Sequence, residues 1–314
     1  MRAVRNFVVA GFAWIACCAM TGLSSCHHEA HVARPNRDAE IKVGPLTLDV
    51  IVDEDAARFH AVDQLSAWYP YHHVAFRVLA EPVLSEQEAA ALAEYRALRK
   101  DHPWGSGLEA AYYLGRRDAI DIATRMRADA ILAAFAARLA PFVESTQPHV
   151  THFAATLGAR LVGRTTVLGR LARLFGTPAR TVPIVLVPRP GSGVGGGGAN
   201  GGVLVVEVTS DEQSLTPLVH ELAHALLEHV RSRIAQRARE CGVDAMTFEE
   251  AIAHAVAPGL VHDGVGDPLA TAGSRATARF YQLGLAVRPV LVRATDFTRF
   301  LDDTCVAIMA VDRP

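Results

Sequence analysis

His220-Glu221-Leu222-Ala223-His224 sets two imidazoles four residues apart with a carboxylate beside the first. On a helix, positions i and i+4 share one face, so both rings can reach a single zinc ion. Glu221 is then placed to take a proton from a water whose pKa the metal has lowered toward ~7. In a chain with 14 His among 314 residues, the bare pattern arises by chance in roughly a few per hundred cases. Its flanks sharpen the signal. Val219, Leu222, Ala223, Ala225 and Leu226 predict a helix buried on every side but the metal face. Two imidazoles and a carboxylate are costly to bury there unless something pairs them. The competing reading is a surface helix with an incidental His-Glu-His trio.

A catalytic zinc takes a third protein ligand and keeps a fourth position open. The extended H-E-x-x-H-x-x-G-x-x-H pattern fails, because Leu227 and Val230 occupy its glycine and histidine positions and His229 is one residue out of register. A glutamate from a following helix is the other common solution. Thr247-Phe248-Glu249-Glu250-Ala251-Ile252-Ala253-His254 offers two. Thr247 and Glu250 also have capping-box spacing, which would leave Glu249 as the ligand.

Here the chain resembles the gluzincins, zinc peptidases in which H-E-x-x-H is followed by a ligand in an E-x-x-A context. Glu250-Ala251-Ile252-Ala253 matches that register. The resemblance implies zinc held by His220, His224 and Glu250, with Glu249 as the alternative third ligand and Glu221 as general base. His254 stands where many members carry an aspartate that orients a ligand histidine. Members also use a downstream His, Tyr or Arg to stabilise the oxyanion, which makes Tyr281 and His262 candidates by position. The resemblance spans about residues 181 to 260, in an arrangement similar to exported bacterial zincin-like proteins. It names no motif in the N-terminal helices.

Those residues need elements to present them. Pro217 suits the first turn of the motif helix, whose apolar periodicity continues to about Ala238. Residues 181–188 and 202–209 are apolar, β-branched runs that predict strands. By the resemblance, the second is the edge along which an extended substrate lies. Between them, residues 191–202 hold eight glycines. Gly191, Gly193 and Gly196 satisfy G-x-G-x-x-G, but a strand follows where dinucleotide binding requires a helix. The run reads as a mobile hairpin tip able to form one rim of the cleft. Upstream, an extended stretch from 41 leads to a helix near 55–69. Ser85 and Glu88 form a capping box opening a helix to about Lys100. Helical patterns follow at 107–115, 118–140, 142–162 and 164–175. Trp68, Tyr69, Tyr71, Trp104, Tyr112 and Tyr113 read as core or groove packing.

At the N-terminus, Arg2 and Arg5 precede an apolar run from Phe7 to Met20. It is too short to span ~30 Å of hydrocarbon but fits a secretory signal. Leu23-Ser24-Ser25-Cys26 resembles a bacterial lipobox, which implies cleavage before Cys26 and a lipid on that residue. By resemblance to Gram-negative lipoproteins, His27 after the cysteine favours the outer membrane. Residues 26–40 are polar and aperiodic, a tether in which His27, His28 and His31 are solvated. Cys241 and Cys305 remain as an even pair, either one disulfide in an oxidising compartment or two buried thiols.

Composition sets the frame. Hydrophobic content of 50% excludes a wholly disordered chain, and 31 basic against 33 acidic side chains leave no nucleic-acid footprint. Few aromatics and abundant Ala and Leu favour helix packed on helix. The expected fold is α+β and mostly helical, a zincin-like domain with a small sheet and an active-site helix. Residues 1–25 are the signal peptide and 26–40 the tether. A mainly helical region at 41–180 precedes a catalytic region at 181–314, the two separate or continuous. The expected function is a lipid-anchored zinc peptidase acting on peptide or protein substrates in the periplasm. A non-catalytic zinc-binding envelope lipoprotein is the alternative.

Overall fold

The computed structural model describes residues 36–69, 74–191, 195–200, 202–210, 214–261 and 275–311. The signal segment, Cys26, His27, His28, His31, Tyr71 and His262 lie outside the described residues. No described helix is long and apolar enough to cross a membrane.

β1 (Asn36–Val43) and β2 (Leu46–Val52) form an antiparallel hairpin, turned at Gly44, whose φ of +59° favours glycine. Residues 36–40 therefore belong to a strand and not to the tether. The polar sequence that suggested a linker also suits an edge strand, which has one unpaired side. β3 (Arg180–Pro188) runs parallel to β2, and β5 (Val203–Val208) runs parallel to β3. β4 (Gly197–Asn200) pairs antiparallel with β5 and closes the order β1-β2-β3-β5-β4. The run at 202–209 is thus an inner strand, and the edge belongs to the glycines.

Alternation along the inner strands builds two cores. Leu48, Ile184 and Val206 face one side with α5 (Thr165–Phe175), α6 (Thr216–Leu227) and α8 (Ala245–His254). Ile51, Val185 and Val205 face the other with α1 (Glu54–Ser66), α2 (Glu86–Asp101) and α3 (Leu108–Tyr113). Helices on both faces of a small mixed sheet make the fold α+β and mostly helical.

The patterns at 118–140 and 142–162 are one helix, α4 (Ile122–Val162), with Pro141 and Pro148 inside it. Proline removes a helical hydrogen bond and crowds the preceding turn. Both prolines are exposed, whereas Phe135, Leu139, Val143, Val150 and Phe153 continue one buried stripe past them. The stripe feeds both cores, its first half the α1–α3 side and its second half the opposite side. The expected capping box holds α2, and Arg138 of α4 grips its Glu88 at 2.7 Å, drawing that carboxyl down to about 2.

The motif helix also divides. α6 passes through a tight turn at Glu228–Val230 into α7 (Arg231–Glu240). α9 (Arg275–Arg293) and α10 (Phe297–Val311) complete the chain. Cys241 at the end of α7 is bonded to Cys305 of α10, with Cα atoms 5.9 Å apart.

Candidate metal centre

α6 is the carrier. Pro217 lies in its first turn, and every residue from Pro217 to Leu227 is buried except His220, which is half-buried. His220 Nε2 and His224 Nε2 lie 3.2 Å apart. Glu250 of α8 reaches them with Oε2 at 3.3 Å from His220 and Oε1 at 3.4 Å from His224. Ligand atoms from His220, His224 and Glu250 all fall within 4.8 Å of one another.

The outer ring nitrogens explain why both Nε2 atoms face inward. His220 Nδ1 lies 3.2 Å from the Ala257 carbonyl, and His224 Nδ1 lies 2.8 Å from Glu249 Oε1. Both partners only accept, so both Nδ1 atoms carry the proton. The two Nε2 atoms then meet beside a carboxylate, an arrangement that calls for positive charge between them, whether shared protons or a metal ion. The electrostatics agree. Burial opposes charge on His224, yet the Glu249 and Glu250 carboxylates push it up to about 10. Burial acts against ionised Glu250 too, but hydrogen bonds from His220, His224 and His254 hold it far below the carboxylate range. The donor set of two imidazoles and one carboxylate fits zinc.

Of the two readings left open for Glu250, ligand or cap, the geometry is consistent with the first, and one expected role, that of His254, changes. The N-cap of α8 is Asp244, which accepts from the Thr247 amide, so Glu250 caps nothing and is free to join the histidines. The carboxylate that orients a histidine is Glu249, braced in turn by Arg231 at 3.1 Å. His254 does not take that place. Its Nδ1 donates to the Glu250 carbonyl at 3.0 Å, and its ring sits edge-on to His220 with centroids 4.6 Å apart. Gly284 of α9 allows this fit, since a Cβ there would stand 2.7 Å from His254 Cβ. Tyr281 touches His254, with ring centroids 5.1 Å apart, but among the described residues of α9 it is Phe280 that lines the cleft.

Glu221 is 7% exposed and belongs to no cap or ion pair among the described residues; burial raises its carboxyl above the ordinary range. It packs against the edge strand. A Cβ on Gly197 would lie 2.7 Å from Glu221 Cγ, so only glycine leaves it room. Gly197 is therefore a structural requirement of the candidate base, beyond the rim role expected of the glycine run.

The cleft holds about 1000 Å³. Its metal end has Glu221, His224, Glu250 and His254; from there it passes the glycines of β4 to His60, Tyr113 and Trp104. At that far end His60 bridges Tyr113, at 3.0 Å, and Glu207 of β5, at 3.1 Å. Glu207 also accepts the Gly196 amide at 3.1 Å, which ties the start of the edge strand to the floor.

Sequence reasoning missed Ala257, Glu207 and His60. Ala257 had a signal. It precedes Pro258, which disfavours helix, and its extended φ of −141° turns the carbonyl out of the helical ladder toward His220. His60 and Glu207 are 147 residues apart and had none. No family model, curated protein or solved structure matches the chain.

Proposed function

We propose that the chain is an exported, lipid-anchored zinc metallopeptidase of gluzincin-like type, hydrolysing peptide bonds with an activated water. The observation that carries this is the convergence of His220, His224 and Glu250 beside a buried Glu221 on the wall of a cleft. Zinc bound by those three residues supplies Lewis acidity to the reaction. The chain's own groups do the rest. Glu249 and the Ala257 carbonyl hold the two imidazoles in register. Glu221 takes the proton of the attacking water and returns it to the leaving amine, and burial suits its carboxyl to holding that proton between the two transfers. The outer edge of β4 offers main-chain groups to an extended peptide.

Export through the N-terminal signal and acylation at Cys26 complete the reading. The Cys241–Cys305 bond accords with an oxidising compartment.

The test is metal analysis together with peptide turnover. Purified protein is expected to carry about one zinc per chain, lost in His220→Ala and His224→Ala. Glu221→Gln is expected to keep the zinc and the melting temperature while activity falls ~10²–10⁴-fold. A zinc-loaded wild type that cleaves no peptide across a broad library overturns catalysis and leaves the envelope binding module.

A further inference from the structure

The far end of the cleft has no task in the hydrolysis itself. Trp104 and Tyr69 line it, with Gly105 and Gln64 beside them. Tyr69 is 37% exposed and Trp104 half-buried, so two large rings are kept at a wet surface inside a concave site. Isolated exposed rings need no explanation, but these are held rigidly. Trp104 meets Trp68 with centroids 5.1 Å apart and Tyr69 edge-on at 5.9 Å. The Arg99 guanidinium lies 4.6 Å from the Trp104 ring and 4.1 Å from that of Trp68. Arg99 is itself fixed, fully buried and paired with Glu109 at 2.7 Å and Asp63 at 3.4 Å. A guanidinium–indole contact of this kind sets the ring plane firmly.

Charge decides what such a wall suits. Glu207 is the acid at this end. His60, the Gly196 amide and Arg189 at 3.7 Å already surround its carboxylate. The Tyr113 hydroxyl is engaged by His60. Polar groups here are turned toward one another, and Arg189 balances Glu207. Among the described residues a cationic substrate group would find no unbalanced acid at this end, and an anionic one no unbalanced base. The rings present apolar surface to a neutral apolar partner.

Continuity supplies the occupant. The metal ligands His224 and Glu250, the glycines of β4 and Trp104 all line one cavity, so a peptide bound along β4 would share the cleft with this wall. We propose that Trp104 and Tyr69 form a specificity subsite that takes a large apolar side chain, aromatic above all, of the peptide substrate. The subsite rests on the peptidase reading for its occupant and on the cleft alone for its chemistry.

Zinc-loaded protein is given quenched peptides that differ only in Phe or Ala at each position flanking the scissile bond. The same peptides are titrated, uncleaved, into zinc-loaded Glu221→Gln protein. At one position Phe is expected to be preferred over Ala by at least about tenfold, the scale of a filled against an empty apolar pocket. Trp104→Ala is expected to abolish that preference in both measurements, and Tyr69→Ala to reduce it. Tyr69→Ala alone carries the test if Trp104→Ala fails to melt cooperatively.

The subsite is overturned if no position prefers Phe, or if the Phe-to-Ala ratio stays within about twofold of wild type in the folded variants. Saturable binding of an oligosaccharide that displaces the Phe peptide also overturns it. The two readings fail separately. Hydrolysis without dependence on Trp104 or Tyr69 removes the subsite and keeps the peptidase. Phe-selective, Trp104-dependent binding without hydrolysis removes the peptidase and keeps the subsite.

Discussion

Glu249 and Glu250 are neighbours in sequence and address opposite edges of one imidazole. Glu250 stands 3.4 Å from His224 Nε2, on the inner side, while Glu249 stands 2.8 Å from Nδ1, on the outer side. If the inner side holds zinc, the two carboxylates differ in kind. Glu250 would be a ligand, and Glu249 would fix the ring and its tautomer. Loss of an orienting partner typically costs about 10–100-fold in metal affinity. Glu249→Gln is therefore expected to weaken zinc by that factor and still bind stoichiometrically when zinc is in excess. Glu250→Gln is expected to lose zinc to a chelator far more readily. Competition with a zinc-binding dye ranks the two, and the opposite order makes Glu249 the ligand and Glu250 the helper.

At the scale of elements, the edge strand couples glycine content to the candidate base. Gly197→Ala puts a Cβ where Glu221 Cγ now lies. Glu221 is buried between α6 and β4 and has nowhere near to retreat. The carboxylate must shift, and a misplacement of ~1 Å can cost about 10²-fold in rate. Gly197→Ala is expected to keep zinc and lose turnover on that scale; full activity in a folded, zinc-loaded Gly197→Ala protein would contradict the placement of Glu221. This strand was hard to read because glycine has low strand propensity and no side chain to alternate. The inner strands and the His220–His224 helix were legible, since β-branched runs and an i,i+4 pair write their geometry directly into the sequence. α4 was misread at Pro141 because local proline chemistry points to a break, whereas a buried stripe and two cores hold the helix through it. The task of Glu249 depends on how α8 is rotated against α6, which no spacing reveals.

At the scale of the whole molecule, the division at residue 180 cuts through one sheet. β2 lies before it and β3 after it, paired in parallel over seven residues from Leu46–Arg180 to Val52–Leu186. The cleft is shared in the same way. Its metal end comes from α6 and α8, its aromatic end from the segments bearing His60, Tyr69, Trp104 and Tyr113. A fragment of residues 181–314 would leave one side of β3 unpaired. It would also lose the apolar cover that α1, α3 and α4 give to Val185, Val187 and Val205. Burial of apolar surface at ~25 cal/mol per Å² is the main term holding such a layer, and a bare edge beside it invites aggregation. The Cys241–Cys305 bond lies wholly inside that fragment and closes 64 residues. By chain entropy such a loop can contribute about 4 kcal/mol, which reinforces α7 against α10 but covers neither face of the sheet. The fragment is therefore expected to show no cooperative melting and no tight zinc site, even oxidised, whereas the full chain is expected to melt in one transition that zinc raises. Calorimetry on both proteins with and without zinc decides it. Cooperative, zinc-dependent melting of the fragment would mean that the helical half is an addition to the metal domain and not one of its walls.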